Sequence, residues 1–241
     1  ADLAVEAGRA ALDRSTATPD ALILCSTRFD GGAESHGGFV AEVTAGLGLP
    51  DVAFLGITLN RCTNLLTAID VATAFVGAGR HERVLVVTTD RAAAESERMT
   101  KFALFSDGAA ACLVTRDPGE YAILATATAQ RTADLDWSHE ISSDLAREVN
   151  EQLLKAAGIT LAEVTGLAHT NLYVPLVAAK ERLAGFSADQ LYTANVERVG
   201  HCFAADPLIN LADRGPARPG EYHVLAASVP GARAGVLLRA R

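Results

Sequence analysis

The chain has 241 residues, 49% hydrophobic and 21% charged, which is the balance of a globular protein with a sizeable core and excludes a disordered or collagen-like chain. Its net charge of −8 repels phosphate backbones and no Lys/Arg run overrides it, so no nucleic acid partner is expected. No apolar run reaches the roughly 18–20 residues of a membrane span, and the first residues read as a helix rather than a signal peptide. Cys25, Cys62, Cys112 and Cys202 form no CxxC pair and no zinc-spaced Cys/His cluster, so a reducing cytoplasm and no metal are expected.

Apolar spacing predicts a helix over 2–13 and a strand over 21–26. Gly31, Gly32, Gly37 and Gly38 mark a loop and a turn before a helix at 39–47. A strand at 52–57 turns through 58–61 into Cys62 and a helix at 65–76, ended by Gly77 and Gly79. Strands follow at 83–88, 109–114 and 121–129. Residues 130–143 are polar and read as the connector between two halves, 1–129 and 130–241. The pattern then restarts: helix 144–157, strand 166–170, helix 174–183, strand 191–195, loop 200–206, short helix 208–213, strand 222–228, turn 229–231 and strand 235–239. Strands alternating with helices predict an α/β architecture with largely buried sheets, and two such halves bring loops from both to one crevice.

Cys62 is the leading candidate for chemistry. Between a strand and a helix it meets orphan backbone N–H groups and the helix dipole, with Arg61 adding positive charge; both favour a nucleophilic thiolate. The alternative is an inert cysteine in a capping region. His169 closes an apolar strand, where α/β sheets gather sites, or is structural. On the loop 199–207, His201 is a candidate acid, base or donor. Asp206 either orients His169 as a triad acid does, or caps the helix that Pro207 begins. Cys25, Cys112 and Cys202 read as packing residues. Gly231 is a turn glycine able to offer a backbone N–H to an oxyanion. His36, His81, His139 and His223 have no partner pattern, and the turn at Ser106-Asp107-Gly108 reads as structural.

Taken in order, these motifs resemble the ketoacyl-ACP synthase III branch of the thiolase superfamily. Cys62 falls at the nucleophile. Phe105-Ser106-Asp107-Gly108-Ala109-Ala110-Ala111 is similar to the family's F-G-D-G-A-x-A, and His169-Thr170-Asn171-Leu172 to its H-Q-A-N. Residues 195–211 are similar to the segment carrying G-N-T-S-A-A-S, and Ser228-Val229-Pro230-Gly231 to the glycine-rich oxyanion turn. The resemblance implies a thiolase-like fold of two pseudo-repeated α/β halves with central mixed sheets and a shortened N-terminal unit.

His201 stands where the family has Asn, and Asp206 follows on the same loop. That Cys, His, Asp set is similar to the ketosynthase-III-like acyltransferases of polyketide pathways. By that resemblance Cys62 takes an acyl group from an acyl-carrier protein or CoA thioester, and the N–H groups of Cys62 and Gly231 hold the oxyanion. His169, fixed by Asp206, then deprotonates a hydroxyl or amine of a small secondary metabolite. The alternatives are a decarboxylating condensing enzyme in which His201 replaces the Asn, and a non-catalytic partner subunit; a thiol hydrolase is more remote. No permanently bound cofactor is expected, and the resemblance implies a homodimer.

Overall fold

The computed structural model describes residues 1–15, 17–27, 29, 33–136 and 143–241. Gly31, Gly32 and His139 lie outside the described residues, as does the middle of the connector expected at 130–143.

The first sheet holds β1 (Ala21–Cys25), β2 (Ala53–Ile57), β3 (Arg83–Asp90) and β4 (Gly108–Thr115) in the order β2-β1-β3-β4. β1 is parallel to both β2 and β3, while β4 runs antiparallel to β3. Both faces of β1 and β3 are buried, which is why they read as continuous apolar runs rather than as alternation. Successive residues still point opposite ways. Leu22, Leu24, Leu85 and Val87 pack outward with Ala4 of α1 (Asp2–Leu12) and Val43 of α2 (Ala33–Leu47). Ala21, Ile23, Val84 and Val86 pack inward on α3 (Asn64–Gly77).

The second sheet contains β5 (Tyr121–Gln130), β6 (Val164–Ala168), β7 (Leu191–Tyr192), β8 (Tyr222–Val229) and β9 (Ala232–Ala240), in the order β5-β9-β8-β6-β7. α4 (Asp144–Ala157) covers its outer face through Val149 and Leu153. α5 (Val174–Leu183) and α6 (Ala194–Arg198) connect its strands, and α7 (Asp206–Asp213) packs on the inward side through Leu208 and Leu211. α3 therefore lies between the two sheets. Its Leu65, Leu66, Ala68, Ile69, Ala72 and Val76 are all buried between the sheets, while Asp70 and Ala74 lie on a remaining exposed flank. Each buried Leu or Ile there contributes about 1.5–3 kcal/mol.

Three expectations are corrected. The sheets do not divide at 129/130: β5 pairs antiparallel with β9, so the change of sheet falls between Thr115 and Tyr121. Gly37 and Gly38 lie inside α2 rather than in a turn; flanking helix packing outweighs a cost of roughly 1 kcal/mol per glycine. The strand expected over 191–195 ends at Tyr192, and Asn195 belongs to α6.

Candidate active site

β2 and α3 are joined by a turn and a single 3₁₀ turn, Arg61–Thr63, which carries the half-buried Cys62. Arg61 holds φ +54, an unfavourable conformation for a residue with a side chain. Its guanidinium Nη2 donates to the Pro230 carbonyl at 2.5 Å, tying the Cys62 turn to the β8–β9 turn. Gly231 in that turn has φ +71, and a Cβ there would lie 2.6 Å from the Arg131 carbonyl oxygen, so only glycine fits. A pocket of about 490 Å³ opens beside these two turns, with Asn60, Arg61, Gln130, Leu135, Gly231 and Ala232 in its wall.

Facing Cys62 is the loop between α6 and α7. His201 Nε2 lies 3.5 Å from Cys62 Sγ, and His201 Nδ1 lies 2.5 Å from Asp206 Oδ2. Asp206 is wholly buried and fully used: Oδ2 also accepts the Asn171 N–H at 2.6 Å, and Oδ1 accepts the Cys202 N–H at 2.7 Å. A carboxylate held by such donors is fixed in place and holds the imidazole in one orientation. Burial opposes charge on His201, but Asp206 and Cys62 outweigh it and raise its pKa to about 10.

Residues 104–106 clamp His201 from the other side. The His201 N–H donates to the Leu104 carbonyl at 2.8 Å, and Ser106 N–H donates to the His201 carbonyl at 2.9 Å. The Phe105 and Phe203 rings lie 4.8 and 5.8 Å from the imidazole. The Ser106-Asp107-Gly108 segment, expected to be a simple turn, thus helps to seat His201.

The sequence expectation that Asp206 orients His169 is corrected. The carboxylate points back along its own loop to His201, and the end of β6 offers it only the Asn171 backbone N–H. His169 is buried in a separate cluster. Its Nε2 lies 2.9 Å from Arg233 Nη1 and 3.1 Å from Glu181 Oε1, and its Nδ1 meets the Thr170 hydroxyl at 2.9 Å. Arg233 grips Glu181 with both terminal nitrogens, at 2.6 and 3.1 Å. Burial lowers the His169 pKa, aided by Arg233 and Lys180 and opposed by Glu181. The sequence reading missed Glu181 and Arg233. An arginine between alanines in a strand core, at 232–234, was the available signal, since a buried guanidinium requires an acidic partner.

Cys202 packs against Ala110 and Ala205, and burial pushes its thiol up to about 12. Burial likewise raises Cys25 and, to about 12, Cys112. Of the other histidines, His81 lies by Asp20 and His223 is buried in β8 beside Glu221. Among the described residues no cluster of three or more His, Cys, Asp or Glu is placed to hold a metal, and no helix is long and apolar enough to cross a membrane.

The raised pKa of His201 has a consequence for stability. A histidine that holds its proton more tightly when folded stabilises the fold fully below pH 6.5, and that contribution is lost as pH rises from 6.5 towards about 10. The melting-temperature advantage of the wild type over His201→Gln should therefore shrink across that interval. A constant advantage would mean that His201 is neutral in the folded protein.

Two sheets of this topology around a central helix layer, with a cysteine at the start of the inner helix, define a thiolase-like fold of the ketoacyl synthase III type. Residues 58–131 match the family described as 3-oxoacyl-[acyl-carrier-protein (ACP)] synthase III. Among solved structures, ChlB3, titled an acyltransferase, superposes with a TM-score of 0.87 at 21% identity, covering 99% of this chain and 83% of that one. The 3-oxoacyl-[acyl-carrier-protein] synthase III of Aquifex aeolicus gives 0.80 at 23% identity, over 98% and 83%. AbyA1, titled a tetronic acid condensing enzyme, gives 0.82 at 19% identity, over 99% and 85%. No curated protein matches the sequence.

Proposed function

We propose that the chain is an acyltransferase that moves an acyl group from a carrier-protein or CoA thioester, through an acyl-Cys62 intermediate, to a hydroxyl or amine of a small secondary metabolite. The observation that carries this reading is the line Cys62–His201–Asp206, in which a buried carboxylate holds an imidazole on the sulfur.

In the first step the Cys62 sulfur attacks the thioester carbonyl, and the backbone N–H groups of Cys62 and Gly231 receive the oxyanion. The intermediate collapses, the carrier thiolate leaves, and His201 Nε2 gives it a proton. Cys62 is now a thioester, and His201 has given up its proton to the leaving thiolate. His201 is then a neutral base suited to the second step. It takes the proton of the acceptor hydroxyl or amine as that group attacks the acyl carbonyl. The Cys62 thiolate leaves, and the imidazolium–sulfur pair is restored. In this scheme His201, rather than His169, is the base, and ChlB3 is the neighbour whose title agrees with the reaction class.

Intact mass after incubation with a panel of acyl-thioesters tests the first step. One acyl mass gained by wild type and absent from Cys62→Ala is the expected result. No adduct with any donor would favour a non-catalytic partner subunit. Carbon dioxide release from a malonyl-type donor, dependent on His201, would instead select the condensing reaction.

A homodimer is part of the same proposal. β2 is an edge strand whose residues are exposed or half-buried, with Phe54 59% and Leu55 39% exposed, an arrangement that natural edges avoid unless paired. Antiparallel pairing of two β2 strands would cover them. Sedimentation should show a dimer in wild type and a monomer in Phe54→Lys; a monomeric wild type at micromolar concentration rules the pairing out.

A further inference from the structure

Three asparagines, Asn171, Asn195 and Asn210, are almost wholly buried, at 2%, 0% and 0% exposure. Buried side-chain amides are costly unless every donor and acceptor is used. Here they form a closed circuit. Asn171 Nδ2 donates to the Gly200 carbonyl at 2.9 Å, and Asn171 Oδ1 accepts from Asn210 Nδ2 at 2.8 Å. Asn210 Oδ1 accepts from Asn195 Nδ2 at 2.9 Å, and the Asn195 carbonyl accepts the Gly200 N–H at 3.1 Å. The circuit starts and ends on Gly200, the residue before His201.

The spare capacity ties the circuit to its surroundings. Asn210 Nδ2 donates also to the His169 carbonyl at 2.7 Å, and Asn195 Nδ2 to Asp213 Oδ2 at 2.9 Å. The amide orientations are set: Asn210 Nδ2 and Asn195 Nδ2 each face two acceptor oxygens, and Asn171 places Nδ2 on the Gly200 carbonyl and Oδ1 on the Asn210 amide donor. Gly200 fits through its φ of +74, and a Cβ there would meet the Leu104 carbonyl oxygen at 2.5 Å, so the backbone has no slack at this point.

Asn171 occupies the decisive position. Its side chain holds Gly200 on one side of His201, and its backbone N–H holds the Asp206 carboxylate on the other. One residue in the loop that follows β6 therefore brackets the loop on which both His201 and Asp206 sit. We infer that Asn171 is a positioning residue for the Cys62–His201 pair, acting through the Asn171–Asn210–Asn195 circuit on the backbone beside His201. The inference rests on the Cys62–His201 reading above. It adds that the second sheet, through β6, sets the distance and angle at which His201 meets a cysteine carried by the first.

The test uses the thiol itself and needs neither donor nor acceptor. The rate of Cys62 alkylation by iodoacetamide is measured as a function of pH, with the modified cysteine located by peptide mass. His201→Ala should lower the neutral-pH rate and move the profile to higher pH, because an imidazolium partner favours the thiolate. Asn171→Ala and Asn171→Ser should move the profile the same way and lower the neutral-pH rate about 10–100-fold, the range found when a partner that orients a metal-bound histidine is removed. Asn171→Asp keeps the side-chain volume and the backbone N–H while removing the donor to Gly200, and should act similarly if the alanine variant fails to fold. Asn150→Ala, which removes another buried amide in α4, controls for lost stability and should keep the wild-type profile. A wild-type profile in folded Asn171 variants, with a displaced profile in His201→Ala, overturns the inference and leaves the acyltransferase reading standing. A wild-type profile in His201→Ala overturns both.

Discussion

Asp206→Asn should slow release of the acyl group from Cys62 by about 10³–10⁴-fold, the size of effect seen when an orienting aspartate of a triad becomes an amide. The Asp206 carboxylate accepts three N–H groups, from His201, Asn171 and Cys202. An amide nitrogen at the Oδ2 position sets donor against donor at both His201 and Asn171, and one at the Oδ1 position does so at Cys202. Where it faces His201, it stabilises the tautomer protonated at Nε2, which cannot take a proton from the acceptor. Formation of acyl-Cys62 should suffer less, because a protonated Nε2 can still donate to the leaving thiol. Burst and steady-state rates with one acyl-thioester, read by mass and by free thiol, separate the steps. Equal losses in both would show that Asp206 acts on the fold rather than on the base.

Glu181→Gln should produce the largest loss of stability, about 3–5 kcal/mol, because it leaves the Arg233 guanidinium buried without its counter-charge. For a chain of this size each kcal/mol moves the melting temperature by roughly 2–4 °C, so a fall of roughly 6–20 °C is expected. Arg233 is 1% and Glu181 0% exposed, so neither can reach water without opening the surrounding core. The double variant Glu181→Leu with Arg233→Met should recover much of that loss, since well-packed apolar residues often replace a buried pair at little cost. A loss below about 1 kcal/mol in Glu181→Gln would mean that the pair contributes little beyond its volume. The cluster also explains why His169 takes no part in the proposed proton transfer: both ring nitrogens are already engaged.

The architecture was largely legible because strands buried on both faces leave dense apolar runs, and Cys62 stood out through its place between a strand and a helix. The loop 200–206 was legible as a cluster of reactive types, but the direction of its side chains was not. Asp206 is five residues from His201 and 37 from His169 in sequence, yet only the tight turn at Phe203, with φ +54, decides which imidazole it meets. β5 was assigned to the wrong side of the division because its partner, β9, is about a hundred residues away and local pattern says nothing about non-local pairing. Gly37-Gly38 resembled a turn because glycine signals one locally, whereas the outer helix layer decided otherwise. The asparagine circuit left no sequence signal, since buried and exposed asparagines look alike until their partners are placed.

The position of α3 bears on how the chain folds. A repeated strand–helix pattern suggests two units that could form separately, but α3 is covered by both sheets, with Ile69 and Val76 in the same cluster as Val84 and Val86 on one side and Leu225 and Val236 on the other. A fragment ending near residue 120 would leave one flank of this helix in water, and a fragment beginning there would lack the surface on which β8 and β9 condense. Neither half completes its core without the other, so the duplicated pattern does not mark two independent folding units, and Cys62 meets His201 only when both sheets are in place.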